Sequence, residues 1–407
     1  MLTVEEALEA ILGRTRVLPE ERVPLLAARN RILAEEVFAD SDVPPFDNSA
    51  VDGYAVRAAD TRGAGPERPV VLVVKEEILA GAPPKVAIGP GTAARIMTGA
   101  PLPSGADAIV MVEDTQPGEN GAVRIREEAR AGQHVRRAGE DMPQGTRALR
   151  PGSPIRPAEI ALLATLGRAH IRTYRQARVA VISTGDEVIE IEEGAPPPPG
   201  KIRNSNRYAL AALVEEAGAV VHAATHIPDD PEATEAVLRE CARAGVDAIV
   251  TAGGVSVGDR DYVKPALEKL GTLALWRVAM RPGKPLAFGS IAHTLFFGLP
   301  GNPVSALVTF ELFVRPALWK FAGVPEDRLA RPKVQAVVTE TISHTPGRRE
   351  YVRAFTSADS GEFITRPTGG QGSGNLHTLA LANSLLIVPA DSLGLRPGDT
   401  AEVVLLL

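Results

Sequence analysis

The chain has 407 residues and a formal net charge of −6, with 44% hydrophobic and 23% charged residues; that balance is ordinary for a soluble globular protein and too apolar for disorder. Its length exceeds one compact core, so several domains of roughly 100–150 residues are expected. The acidic balance argues against a general nucleic-acid binder, which needs a basic face, and an anionic ligand would have to be held by a local cluster of donors.

The first expected element is a helix from about Thr3 to Leu12, with Val4, Ala7, Leu8 and Ile11 at helical spacing and glutamates opposite. This acidic amphipathic start is unlike a cationic signal peptide. No apolar run approaches the ~18 residues of a membrane span, and a cytoplasmic location is expected. An extended segment follows and closes at Pro44–Pro45. From about Asp47 to Gly139 short β-type runs such as VVLVVKEEI and AIVMVEDT alternate with Gly, Pro and Asn, which predicts a small all-β domain. The chain then returns through a helix opened by Pro157 and Glu159 and closed by Gly167. The resulting division is 1–46 with 140–175 as a mixed α/β domain, 47–139 as the inserted β-domain, 176–328 as an α/β domain and 329–407 as a C-terminal β-domain.

From about Arg178 the pattern is strand–helix–strand. RVAVIST, VVHAATH, DAIVTAG, ALWRVAM and TLFFGLP are the expected strands. YALAALVEEAG, PEATEAVLRECARAG, DYVKPALEKLG and NPVSALVTFELFVRPALWKFAG are the expected helices. This alternation implies a mostly parallel sheet covered by helices on both faces, with ligands beyond the carboxyl ends of its strands. Cys241, the only cysteine, falls in a helical stretch and reads as a buried small apolar residue; one thiol builds no disulfide, zinc or iron–sulfur framework. The loop EEGAPPPPGK (192–201) reads as a stiff exposed excursion. From about Pro332 five β-type runs predict a small barrel or sandwich.

Chemistry gathers on the loops that leave the sheet. TAGGVSVGD (251–259) leaves an apolar strand on two glycines whose N–H groups can converge on an anion, with Ser256 as a further donor. Alone, such a turn serves as structural bend or phosphate site equally well. STGDE (183–187) leaves the same edge, and Asp186, Glu187 and Asp261 can bring hard oxygen ligands to one magnesium ion; the plainer alternative is a capped turn with a solvated glutamate. RPGKP (281–285) and LPGNPVSA (299–306) add Arg277, Arg281 and Lys284 as cationic donors, and Asn302 and Ser305 at a helix start. In the β-domain Asn48, Ser49, Asp52 and Thr98 are small polar groups inside apolar segments, where a hydrogen-bonded turn is an equal alternative to a site, as it is for GEDMPQG (139–145). His222 and His226 share a strand face without a third ligand, so a histidine–metal site is not expected.

PPFDNSAVDGYAVR, RIMTGAPLPSGADAIVMVED, GEDMPQG, VAVISTGDE, TAGGVSVGDRDY, MRPGKP, FFGLPGNPVSA and TPGRREYVR with GGQGSG occur in one order between residues 44 and 374. In this the chain resembles the molybdopterin molybdenumtransferases, the MoeA-like proteins and gephyrin E-domains. The resemblance implies an elongated homodimer with an active site between the α/β domain of one subunit and the inserted β-domain of the other. It implies adenylated molybdopterin and molybdate as substrates, magnesium-dependent pyrophosphate cleavage and AMP as product. The molybdopterin adenylyltransferase and recipient molybdoenzymes are implied as protein partners, with no nucleic acid and no membrane. Carried over residue by residue, Gly253, Gly254, Ser256 and Gly258 would contact phosphates, and Glu187 and Asp261 would hold magnesium. Arg281, Lys284, Ser305, Arg348 and Ser373 would bind molybdate; Asp52, Thr98, Asp141 and Asp229 would line the site or orient water and substrate. Arg277 and Arg281 stand where some relatives carry lysine, which exchanges a point charge for a planar fork. Tungstate insertion, a nucleotide pyrophosphatase and a gephyrin-like scaffold are the alternatives.

Overall fold

The computed structural model describes residues 1–191, 196–255 and 261–406. The chain divides into two compact units, one formed by Met1–Ala34, Pro151–Ala161 and Ala169–Leu407, the other by Glu35–Arg150 and Leu162–Arg168.

A six-stranded sheet forms the centre of the first unit, in the order Val220–Ile227, Arg178–Thr184, Ala248–Ala252, Thr294–Leu299, Pro285–Ile291 and Thr272–Arg277. The first four strands are parallel, as the strand–helix alternation predicts. The last two are not. Pro285–Ile291 turns back antiparallel to Thr294–Leu299, and Thr272–Arg277 pairs antiparallel with it. The expected strands did not include Pro285–Ile291, which starts at the end of the RPGKP loop and carries an internal glycine. Gly289 has a structural reason: a Cβ there would meet the Thr272 carbonyl oxygen at 1.9 Å.

Successive residues of the inner strands serve opposite faces. Val179, Val181, Val250 and Phe297 join one core; Ala180, Ile182, Ile249 and Phe296 join the other. Both faces are therefore apolar, as a strand covered by helices on each side requires. Helices Ser205–Glu216 and Pro303–Thr309 cover the first face, with Leu210, Val214, Val304 and Val308 in its core. Pro231–Arg243 and Val263–Leu270 cover the second through Leu238, Cys241, Val263 and Leu267. Cys241 is buried there, and burial pushes its thiol up from the ordinary value. Side-chain caps start two of these helices: Asn204 accepts from the Arg207 amide and Asp230 from that of Ala233. The expected long final helix runs on from Pro303 to Phe321, but through a π-turn at Phe310–Val314 just before Pro316. Proline lacks the N–H and crowds the preceding turn, so a widened turn accommodates it.

The N-terminal helix Val4–Arg14 opens with a capping box between Thr3 and Glu6 and buries Val4, Ala7 and Ile11 in the same core as Phe310 and Phe313. At the other end of the chain, Arg349–Asp359, Glu362–Pro367, Lys333–Val338, Thr400–Leu405 and Ser384–Val388 pair in that order, and the last pairs back onto the first. This closed five-stranded barrel has Val338, Val352, Leu386 and Val403 inside.

The second unit is built on an all-β sheet in the order Ala108–Met111, Gly53–Val56, Thr92–Ile96, Val70–Ile78, Ala122–Ile125 and Thr115–Pro117. Val70–Ile78 shows the alternation of a half-buried strand, with Leu72 buried between exposed Val71 and Val73.

Phe288 and Phe297 pack at 5.2 Å between ring centroids in the core of the first unit. Phe297→Ala leaves a cavity there and is expected to cost about 3–5 kcal/mol, read as a lowered urea midpoint of the first unit's transition; an unchanged midpoint would contradict this packing.

Candidate active site

Parallel pairing places the carboxyl ends of Arg178–Thr184, Ala248–Ala252 and Thr294–Leu299 side by side, since Ser183 is paired with Ala252 and Ala252 with Leu299. Beyond them lies a cavity of about 450 Å³ walled by the loops that follow all three strands. Glu187, Asp229, Gly253, Gly254, Asp261 and Ser305 all line it. The sheet edge thus brings together residues spread over more than a hundred positions of sequence.

Glycine lets those loops crowd together. Gly253 has φ +98°, and a Cβ on it would sit 2.5 Å from Thr184 Oγ1; Gly254 has φ +69°, and a Cβ would meet Val263 Cγ2 at 2.5 Å. Gly301 lies against Gly253, its Cβ position 3.5 Å from the Gly253 Cα. One expectation is corrected here. The Gly253 N–H does not face an anion: it donates to the Leu299 carbonyl at 3.1 Å, extending the parallel ladder by one bond. What Gly253 supplies is close approach. Ser256 and Gly258 lie outside the described residues.

The acidic loops are tied to one another. The Asp229 amide donates to Asp186 Oδ1 at 3.1 Å and the Asp186 amide to Asp229 Oδ2 at 3.3 Å. Lys201 Nζ donates to the Asp186 carbonyl at 2.6 Å. Asp186 therefore acts within a loop-to-loop clasp and is absent from the cavity wall, whereas Glu187, Asp229 and Asp261 are on it. Among the described residues no three Asp, Glu, His or Cys side chains are gathered as a ready-made metal cage.

Further cations lie on the segment that opens on this sheet edge. Arg277 ends its strand opposite Pro285, which lines the cavity, and Arg277, Arg281 and Lys284 are exposed. Met280 and Arg281 pair in parallel with Arg349 and Glu350 of the barrel, which carries Arg348 toward the same edge. Ser305 is buried on the cavity wall. The Val304 amide donates to the Ser373 carbonyl at 3.1 Å, so the GGQGSG loop docks beside Ser305. Asn302 starts the helix without a side-chain capping bond, although the position predicts a cap.

Several residues of the site escaped sequence reasoning. Arg203, Asn204 and Asn206 line the cavity. Buried Asn204 donates to Ser183 Oγ at 2.7 Å and to Glu190 Oε1 at 3.1 Å, and Asn206 donates to the Gly301 carbonyl at 2.7 Å. Their signal is the polar run RNSN just before the expected helix YALAALVEEAG, a run assigned no role from sequence. Fully buried Arg353 donates to the carbonyls of Gly370 at 2.8 Å and Gly372 at 3.1 Å and so anchors the loop that carries Ser373. An arginine inside the barrel run EYVRAFT was the clue. The two strand histidines go to other work: His226 Nδ1 pairs with Ser183 Oγ at 3.1 Å and His222 Nδ1 with Arg178 at 2.9 Å.

In the second unit, Thr98 donates to Asp52 Oδ1 through both its amide and its hydroxyl, each at 2.7 Å. These two bonds hold the exposed Asp52 carboxyl below its ordinary value. Asn48 Nδ2 donates to the Phe46 carbonyl, and the Asp141 amide to that of Val43. Hydrogen-bonded turns thus account for these polar residues, while Asp52, Thr98 and Asp141 stay exposed.

Three family models match the chain: the MoeA N-terminal region, domains I and II, over residues 2–167; a probable molybdopterin binding domain over 180–320; and the MoeA C-terminal region, domain IV, over 335–406. A protein of Mycobacterium tuberculosis named molybdopterin molybdenumtransferase 2 is 42% identical over 409 residues, covering 99% of each chain. The molybdopterin molybdenumtransferase of Bacillus subtilis is 38% identical, covering 100% of this chain and 94% of that one. Among solved structures, the molybdopterin biosynthesis moeA protein of Pyrococcus horikoshii superposes with a TM-score of 0.83 at 31% identity, covering 100% of both chains.

Gly253→Ala forces a side chain against Thr184 at positive φ and is expected to destabilise the first unit by about 1–3 kcal/mol. Gly301→Ala meets only ordinary contact and should stay within about 0.5 kcal/mol of the parent. Thermal unfolding of both variants checks the pair; equal midpoints would contradict the close approach.

Proposed function

This chain belongs to the molybdopterin molybdenumtransferase family, enzymes of molybdenum cofactor biosynthesis, and from that premise we propose that it inserts molybdate into adenylated molybdopterin and releases AMP. The observation that carries the reading is the cavity where three parallel strands end, with three carboxylates and Arg203 on its wall and exposed cations on the segment that opens on the same sheet edge. A pyrophosphate ester and a tetrahedral oxyanion are both anionic, and this chain is acidic overall. Both need the local donors that Arg277, Arg281, Lys284, Arg348, Ser305 and Ser373 supply. The same reading takes the four domain boundaries given above and a cytoplasmic homodimer, in which Asp52, Thr98 and Asp141 of one subunit complete the site of the other. Among the described residues no helix is long and apolar enough to cross a membrane.

The donor chemistry fits magnesium. Glu187 and Asp261 are hard oxygen ligands on one cavity wall, and magnesium typically takes one or two carboxylates, keeps several waters and fills its shell with substrate phosphates. A bound ion would offset charge on the pyrophosphate as it breaks. The chain's own groups do the rest. Gly253, Gly254 and Gly301 let the backbone approach the ligand, Asn204 keeps the wall in place, and these cations and hydroxyls hold molybdate near the dithiolene. No covalent intermediate with the protein is part of this mechanism; positioning and charge stabilisation carry the rate.

Asp261→Asn keeps the shape of the wall and removes a charge that the metal needs. Turnover is expected to fall about hundredfold while the variant still binds the adenylated substrate by calorimetry. Undiminished AMP release from Asp261→Asn would sink the assignment.

A further inference from the structure

Behind Arg281 lies a buried pair of side chains that this mechanism leaves without a task. Strand pairing puts them there, because Met280–Arg281 runs parallel to the start of the barrel strand Arg349–Asp359 and sets Arg281 opposite Glu350. The Glu350 side chain is only 7% exposed, and its Oε1 stands 3.4 Å from Arg281 Nε. Its Oε2 accepts from His344 Nδ1 at 2.7 Å, and the His344 side chain is 1% exposed. The far nitrogen of that ring, Nε2, is buried and has no partner among the described residues. Fully buried Arg353 adds its charge from inside the barrel. A carboxylate shielded this far from water costs stability unless it is paired. One of its partners, Arg281, is half exposed.

We propose that Glu350 is a positioning residue for the oxyanion: its carboxylate forms an ion pair with the Arg281 guanidinium at Nε and leaves the terminal nitrogens to the ligand, while His344 fixes the carboxylate. A planar fork held along one edge presents its other donors in a set direction, which a freely rotating cation does not. A lysine ammonium could touch carboxylate and ligand at once, but only a guanidinium held at Nε fixes the direction of its remaining donors. The inference rests on the reading of Arg281 as a molybdate ligand, and the test separates the two.

The test is a double-mutant cycle on the full-length protein, with molybdate as the varied substrate and KM and kcat read from AMP release. Glu350→Gln is expected to raise the KM for molybdate about tenfold, between the worth of an exposed and of a buried ion pair, with kcat at saturating molybdate much less affected. In an Arg281→Ala background the same change should add nothing further, because the residue it acts through is gone. An equal penalty in both backgrounds means a structural role and overturns the proposal. An unchanged KM in Glu350→Gln beside a raised KM in Arg281→Ala overturns it too, while leaving Arg281 as a ligand. An unchanged KM in Arg281→Ala removes the premise itself. Should Glu350→Gln fail to fold, His344→Gln loosens the same carboxylate and is read in the same cycle.

Discussion

Parallel pairing of Arg178–Thr184, Ala248–Ala252 and Thr294–Leu299 is the constraint from which the site follows. A parallel strand must be left by a loop and regained by a crossover, so all three strands release their loops on the same edge. The glycine turn at 253–254, the acidic turn at 185–187 and the Pro-Gly turn at 300–301 meet there without any contact between them in sequence. The two antiparallel strands complete the edge. Because Thr272–Arg277 runs in the same direction as the parallel set and Pro285–Ile291 runs back, the Arg281–Lys284 loop between them opens on that side as well. The barrel then pairs with this loop at Arg349–Glu350 and brings Arg348 with it.

Charge has to be local in a protein of net charge −6. Glu187, Asp229 and Asp261 line the cavity together with Arg203, while Arg277, Arg281 and Lys284 are exposed on the segment that opens on the same sheet edge. Such an arrangement suits a substrate that itself carries two kinds of anionic group, one for a metal held by carboxylates and one for direct cationic contact. Elsewhere buried charge serves architecture. Arg315, fully buried, donates to Glu311 at 2.7 Å and to Glu216 at 3.1 Å, tying the helix that holds Ser305 to the helix begun by Asn204.

Much of this was legible in the chain itself. Apolar runs of four to eight residues between amphipathic helices announced the parallel core, and the glycines of TAGG stood where positive φ was needed. The closed barrel agrees with the barrel-like C-terminal domain expected from five short runs. What escaped notice was set by tertiary contact. Pro285–Ile291 is a strand because its neighbours on both sides pair with it, against a Pro-Gly entry and an internal glycine. The Gly253 amide is spent on Leu299, a partner 46 residues away that no local pattern reveals. Asn204, Asn206 and Arg353 act through carbonyls and hydroxyls of distant loops, so their own neighbours in sequence say little about them.

The central claim is that the cavity at the strand ends couples cleavage of an adenylated pterin to capture of an oxyanion. It is tested most directly by following AMP release from adenylated molybdopterin by the purified protein with magnesium, in the presence and absence of molybdate, together with activation of an apo-molybdoenzyme. The account predicts AMP release that depends on molybdate and is accompanied by activation. Release that is indifferent to the oxyanion, or binding with no cleavage at all, would contradict it.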